Sequence, residues 1–449
     1  MMIHMELRRS LDVIVDTDVV VVGSGSAGAT AAIAAAREGA KVLVLERSPF
    51  LGGTSTAVLD TFYGFYTPGE HSHKIVAGIG DDVVEQLKKL DRILERPNTY
   101  GAGLGITYHP DYLKCAWDQL VQGSGADILL NCWVQDVLLE GDRLISVVVA
   151  TKLGLAQVRG RVFIDASGDA DLCHWSGSPV EIAGEHEDAQ SLTTTFRMCN
   201  VDIEARKCIS KKDFHALMAT AATEGYELPR REGSDHITTV KDVLATNMTR
   251  VRSFERRPTG VVNATDPRFL TAAEFEGRRQ ALEYIRFLHD RVPGYSGAGL
   301  GAFGSQIGIR ETRRVLGDYV LTRGDVLQAC QFDDQIGLCG APIEEHGVGD
   351  GTNWVYLPEG ECVGIPYRTL LPRKLANVFV VGRCFSATHD AHASVRSMAQ
   401  CMAMGQAAGT AASWCAGNNC DTRSVPFPAL RDRLLANQAI LESPPRGRE

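Results

Sequence analysis

The spacing of apolar positions changes period several times along this chain, and each change marks a predicted element. Asp18 is followed by Val19, Val20, Val21 and Val22, an unbroken apolar run that predicts a strand buried on both faces. From Ala27 to Arg37 small residues dominate, which predicts a close-packed helix, and Lys41 to Glu46 predicts a second strand. Ala126–Asn131, Trp133–Glu140 and Arg143–Ala150 predict further strands, the last two joined by a Gly141-Asp142 turn, so this region reads as a small antiparallel meander. Gln157 to Ile164 adds a strand that leads into Asp165-Ala-Ser-Gly-Asp-Ala-Asp171. Residues 190 to 360 are richer in charge, loops and helical runs such as Ala272 to Arg291. Val378 to Gly382 returns to the buried-strand pattern, and a long helix of small residues is predicted from about Ser397 to Ala416. The tail from Ser443 to Glu449 is expected to fray.

A chain of 449 residues exceeds one ordinary hydrophobic core, so two interleaved domains are expected. The boundaries read as a nucleotide-binding first part over 1–185, a substrate or cap domain over 186–360, and a return to the first domain over 361–449. Lys and Arg number 46 against 55 Asp and Glu, a formal charge of −9 with no basic run, which argues against nucleic acid as a partner. No apolar stretch reaches membrane-spanning length, and Met1 to Asp16 lacks the apolar core of a signal peptide, so a cytoplasmic location is expected. The twelve cysteines contain no C-x-x-C, and Cys415 with Cys420 find no second pair, so no metal site is expected. Glu344-Glu345-His346 is too contiguous to share one metal face.

The chemistry concentrates first at Gly23-Ser-Gly25-Ser26-Ala27-Gly28. This G-x-G-x-x-G leaves a strand and opens a helix, so Gly23 permits the tight turn, Gly25 admits a diphosphate, and Gly28 packs helix on strand. The diphosphate would rest on the helix N-terminus. Glu46 ends the second strand, eighteen residues after Gly28, where a carboxylate can accept both ribose hydroxyls of an adenosine. A second match, Gly299-Leu-Gly301-Ala-Phe-Gly304, follows Pro293 to Ala298 and reads as a flexible glycine loop, as does Gly101 to Gly105. The pattern therefore shows one dinucleotide site.

Three separated blocks together resemble the FAD-dependent oxidoreductases of the glutathione-reductase-like superfamily, distant relatives of fumarate reductase and succinate dehydrogenase flavoproteins. The first is the N-terminal βαβ with Glu46-Arg47 and Leu51-Gly-Gly53-Thr54. The second is Val162-Phe-Ile-Asp-Ala166-Ser-Gly168-Asp169. The third is Asn377-Val-Phe-Val-Val-Gly382-Arg383 with Met404 to Ala412. Gly308-Ile-Arg310-Glu311-Thr-Arg313-Arg314, Ile365-Pro-Tyr367-Arg368 and Gly382 to His389 refine the likeness. It implies an α/β fold, a Rossmann-like FAD-binding domain of parallel sheet plus small antiparallel meander, with an inserted α+β cap. It also implies cofactor contacts at Gly23, Gly25, Ser26, Ala27, Gly28, Glu46, Arg47, Gly53, Thr54, Val134, Ala166, Gly168, Asp169, Gly382, Arg383, Ser394 and Arg396. Many relatives carry Gly-Asp where this chain has Gly382-Arg383, so Arg383 is expected to face the pyrophosphate instead. No histidine stands near Phe50 to Gly53 to attach a flavin, so noncovalent FAD is expected.

What the resemblance implies for chemistry is hydride exchange at flavin N5 with a small polar organic substrate, at CH–OH, CH–NH or CH–CH. A flavin monooxygenase and a noncatalytic or RNA-modifying flavoprotein are the alternatives. His392 and, close behind, His389 are the expected proton-moving groups, since they stand between the third block and the helix expected to face the flavin. Arg310 is expected to bind a substrate carboxylate or an oxyanion, Tyr367 to donate to a substrate oxygen, and Ser394 with Arg396 to lie against the isoalloxazine. The electron acceptor, whether oxygen, a quinone or a protein, stays open, as does a homo-oligomer.

Overall fold

The computed structural model describes residues 10–97, 103–347, 349 and 351–443. The tail expected to fray falls past Ser443, and Gly101 of the first glycine-rich segment falls at 101, both outside those residues.

The valine run forms the end of a strand, β1 (Val13–Val22), with Val19, Val20 and Val21 fully shielded from solvent. Each such side chain contributes roughly 1.5–3 kcal/mol of hydrophobic stabilisation. Helix α1 (Ser26–Arg37) and strand β2 (Val42–Leu45) complete the predicted βαβ unit, and β2 pairs parallel to β1 with Val19 opposite Val42. Next come β3 (Asp127–Leu129), β4 (Trp133–Glu140), β5 (Arg143–Thr151) and β6 (Gly154–Asp165). The main sheet runs β3-β2-β1-β6-β5-β4. Its centre is parallel, and β4-β5-β6 form the antiparallel meander. The segment Ala126–Asn131 does not belong to that meander as the sequence suggested. Its core, β3, pairs parallel to β2 at the opposite edge, because the helix Pro110–Gly123 carries the chain back across the sheet.

The middle of the chain builds a separate antiparallel sheet. Its strands are β7 (Phe196–Cys199), β8 (Ser234–Ile237) and β9 (Val243–Asn247), followed by helix α2 (Pro267–Arg291) and strand β10 (Gly299–Phe303). The order is β8-β9-β7-β10. The Gly299–Gly304 segment is therefore an edge strand rather than a loop. Gly301 serves close packing: a Cβ there would stand 2.4 Å from the Sγ of Cys199 on the paired strand.

The chain then returns to the main sheet as β11 (Val378–Val380), which pairs parallel with the C-terminal half of β6. Helix α3 (Met398–Asn418) follows. The small residues of α1 and α3 now have a physical cause, because the two helices touch backbone to backbone. A Cβ added at Gly405 would lie 2.1 Å from the Ala27 carbonyl oxygen, and one at Gly409 2.2 Å from that of Ala31. Any larger side chain would force the helices apart and open the core beneath them. Among the described residues no helix is long and apolar enough to cross a membrane, and no group of His, Cys, Asp or Glu is arranged to hold a metal.

Candidate active site

The C-terminal ends of β1 and β6, the start of α1 and the turn after β11 open onto one cleft of about 770 Å³, which runs on beneath the middle sheet. One end is built for a dinucleotide. Gly23 has φ +92° where the strand turns into the helix, and a Cβ at Gly28 would stand 2.0 Å from the Gly23 carbonyl oxygen, so no other residue fits there. A Cβ at Gly25 would meet nothing within 4 Å, which leaves this face of the turn open. Helix α1 begins with no side-chain cap, so its free N–H groups and positive end face the cleft at Gly25, Ser26 and Ala27.

Glu46 sits at this end, buried, and both its oxygens are engaged. Oε2 accepts from the Ser24 N–H at 2.9 Å and the Ser24 hydroxyl at 2.6 Å, and Oε1 accepts from the Ser48 N–H at 2.7 Å. The carboxylate therefore braces the glycine turn, and ribose hydroxyls would compete for its remaining lone pairs. Arg47, Trp133 and Val134 line the outer rim, with the Arg47 guanidinium 5.8 Å from the Trp133 ring centroid.

Further in, Arg383 donates through Nη2 to Oδ1 of Asp169 at 3.0 Å, and Asp169 also accepts from the Thr312 hydroxyl at 2.7 Å. Burial alone would raise the Asp169 carboxyl, but Arg383 and the Thr312 hydroxyl outweigh it and keep it below its usual range. The other arm, Nη1 of Arg383, is buried with no hydrogen-bond partner among the described residues. A cation with an orphaned N–H beside a glycine turn, a bare helix N-terminus and Gly168 is the donor set a diphosphate needs. The residues fit FAD, and Gly53, Thr54, Ala166, Gly168 and Gly382 line the same cleft.

The other end is a cationic chamber. Arg96, Arg197, Arg230, Arg310 and Arg396 all line it, with Asp60, Glu344 and His346 among them. Arg310 donates to the Ser191 carbonyl at 2.7 Å and the Thr193 hydroxyl at 2.6 Å, rather than to Glu311. Burial, then the charges of Arg396 and Arg230, push Arg310 down to about 9. The Nε atoms of Arg230 and Arg396 are buried without a partner. Glu344 pairs with His346 at 2.9 Å. Burial would raise its carboxyl, but His346, Arg396 and Arg310 hold it at about 2. Burial and the neighbouring Arg310 push His346 down to about 3, so the imidazole is neutral. Asp60 pairs with Nε2 of His236 at 2.8 Å.

Several expected site residues stand elsewhere. His392 is fully buried behind the wall, its Nε2 2.6 Å from the Arg383 carbonyl oxygen, and burial drives it well below its usual range. His389 is buried against Glu311, 3.0 Å from Oε2, and neither histidine lines the cleft. Tyr367 spends its hydroxyl on the Thr422 carbonyl at 2.7 Å, away from the cleft, because the proline-led extended segment turns its ring into the core against Phe379 and Phe427. Ser394 donates to the Ala341 carbonyl at 2.6 Å and is fully buried, so it does not face a flavin. Its place at the start of α3 is taken by Ser397 and Met398, which line the cleft with Arg396. Asp60, Arg96, Arg197, Arg230 and His236 were not anticipated. One local signal was available: Arg197 lies between buried Phe196 and Met198 on a strand, so period-two alternation puts it on the opposite face.

A Rossmann-like parallel sheet, a glycine turn under a bare helix end and an orphaned arginine define an FAD-binding flavoprotein. A family model for FAD dependent oxidoreductases matches residues 18–434, and the chain belongs to that family of enzymes. A digeranylgeranylglycerophospholipid reductase of Picrophilus torridus is 26% identical over 193 residues, 42% of this chain and 48% of that protein. An NADH:fumarate oxidoreductase of Klebsiella pneumoniae is 26% identical over 186 residues, 34% of this chain and 20% of that protein. The chain thus spans about half the length, or less, of these curated relatives. Among solved structures, a geranylgeranyl bacteriochlorophyll reductase-like protein of Thermoplasma acidophilum is similar with a TM-score of 0.45 and 13% identity, covering 95% of this chain and 84% of that one.

Proposed function

We propose that this oxidoreductase exchanges hydride with a small, polar, anionic organic substrate seated in the arginine-lined chamber. The observation that carries this reading is the continuity of the cleft, from the diphosphate cradle at Gly23–Ala27 to Arg230, Arg310 and Arg396. Noncovalently bound FAD supplies a two-electron carrier that gives or takes hydride at its N5. The chain's residues do the rest. Arg310, fixed by Ser191 and Thr193, presents its remaining N–H groups to a carboxylate or an oxyanion. Five arginines against Asp60 and Glu344 leave a positive excess that an anionic substrate neutralises. Residues 186–360 act as the cap that closes over the substrate and keeps bulk water out. In this reading oxygen, a quinone or a protein reoxidises the flavin.

The test is an anaerobic screen of small hydroxy acids, amino acids and saturated carboxylates for bleaching of the bound flavin near its long-wavelength absorbance band. Bleaching by one class, lost or weakened in Arg310→Gln with FAD content intact, is the expected result. Bleaching only by uncharged compounds, or by none, would overturn the reading.

A further inference from the structure

The structure itself separates the histidines that can move a proton from those that cannot. Two of them line the cleft among the described residues, His236 and His346. Both ring nitrogens of His346 are engaged, Nε2 with Glu344 at 2.9 Å and Nδ1 with the Thr352 hydroxyl at 3.2 Å. His236 differs. Its Nε2 is held 2.8 Å from Oδ1 of Asp60, its side chain is 19% exposed, and Nδ1 makes no hydrogen bond within the described residues.

The middle sheet explains the placement. His236 on β8 stands opposite Ala245 on β9, which stands opposite Arg197 on β7, so His236 and Arg197 share one face, and both line the cleft. Asp60 reaches that face from the main domain, with Oδ2 buried, without a hydrogen-bond partner among the described residues, and ion-paired to the Arg197 guanidinium at 4.0 Å. Among the described residues Tyr63, Arg96 and Tyr108 also stand around the pair, Asp235 lines the cleft beside His236, and Glu344 acts on Tyr63 from across the chamber.

We propose that His236, through Nδ1, exchanges the proton of the bound substrate, with Asp60 fixing its tautomer and stabilising its charged form. This rests on the hydride-transfer reading above. An ionised carboxylate only accepts hydrogen bonds, so Nε2 carries the hydrogen and Nδ1 keeps the lone pair. Burial would raise the Asp60 carboxyl, but His236, Arg197 and Arg96 outweigh it and keep it ionised. When the substrate is oxidised, its carbon loses hydride, with both electrons, to the flavin. Its O–H or N–H loses a proton to Nδ1, and the new C=O or C=N bond takes the electron pair left on the heteroatom. The imidazolium then sits against Asp60 and returns its proton to solvent once the product leaves. Asp60 is a positioning residue and His236 a catalytic one. The pairing also joins the two halves of the chain, because Asp60 comes from the FAD-binding part and His236 from the cap.

The test has a spectroscopic arm and a kinetic arm, both on the FAD-loaded full chain. With ¹⁵N-labelled histidine, the signals lost in His236→Asn identify His236. They are expected to show the Nε2–H tautomer, with that preference lost in Asp60→Asn. An Nδ1–H tautomer would overturn the proposal. With a compound that bleaches the flavin, His236→Asn should be slower than the wild type by about 100-fold or more, and Asp60→Asn should fall in between. Wild-type rates in His236→Asn at full FAD content would sink the proposal and leave hydride transfer standing. If nothing bleaches the flavin, hydride transfer fails, and the tautomer alone decides whether His236 has the basic nitrogen assigned here.

Discussion

Arg383 and Asp169 join by a 3.0 Å hydrogen bond the two places where the chain comes back to the glycine turn, the end of β6 and the end of β11. The pair aims a guanidinium at the diphosphate cradle while one of its arms stays unpaired. The acid that meets this cation comes from another segment of the chain. Arg383→Ala should weaken FAD by about 1.5–3 kcal/mol, the worth of a hydrogen bond to a charged group, or roughly 10- to 150-fold in Kd. Titration of apoprotein with FAD, followed by flavin fluorescence quenching, reads this directly. An unchanged Kd would show that the unpaired arm does not meet the cofactor.

Gly28→Val tests the turn itself. The new Cβ would stand 2.0 Å from the Gly23 carbonyl oxygen and 2.9 Å from the Ala166 side chain, so helix α1 must shift away from β1. Purified protein should carry less than roughly a tenth of the wild-type flavin per chain, since the cradle depends on close helix–strand packing. Gly25→Ala, whose Cβ meets nothing within 4 Å, should fold normally. Absorbance ratios and circular dichroism of the two variants separate lost binding from lost folding.

The buried pair Glu311–His389 sets a pH window for stability. Burial opposes charge on both groups, but at Glu311 the His389 hydrogen bond and the Arg314 guanidinium outweigh it and lower the carboxyl well below its usual range, while the Glu311 hydrogen bond and charge raise His389 above its own. A raised histidine contributes stability that is complete below its unfolded value and lost as pH rises through its folded value. The lowered glutamate contributes stability present above its unfolded value and lost as pH falls through its folded one. The stabilisation from this pair should therefore be complete between roughly pH 4.5 and 6.5, bracketed by the unfolded values of the two groups, and decline on the alkaline side. His389→Gln should flatten that alkaline decline while FAD stays bound. Thermal unfolding from pH 5 to 9 would refute the account if both proteins gave parallel profiles.

Tyr367→Phe removes a buried hydroxyl whose one bond is to the Thr422 carbonyl. It should cost about 1 kcal/mol of stability, with somewhat more if that carbonyl finds no water. Flavin reduction by any bleaching compound should keep its wild-type rate. A slowed reduction at normal stability would return Tyr367 to the site.

The cofactor half of the protein was legible in the chain because its cues are contiguous. The valine run, the glycine turn and the small-residue helix each act within about thirty residues, and steric need at Gly23 and Gly28 leaves few alternatives. The strand at Ala126–Asn131 was visible, but its partner was not, since an apolar run does not say which edge it joins. The edge strand at Gly299–Phe303 was missed for the same reason: Gly301 answers to Cys199, about a hundred residues earlier in the chain.

The reaction half was decided by the tertiary structure. His389 and His392 lie in a suitable stretch of sequence, yet the helix from His389 to Val395 turns both inward, toward Glu311 and the Arg383 carbonyl. Asp60, Arg96, Arg197, His236, Arg310 and Arg396 come from distant segments and meet only because the middle sheet and the main sheet border one cleft. Sequence alone determined that the chain builds a dinucleotide cradle, because backbone sterics and hydrophobic periodicity act locally. Which side chains face the cleft was settled by long-range packing, because a residue's chemistry depends on the charges and solvent that folding brings around it.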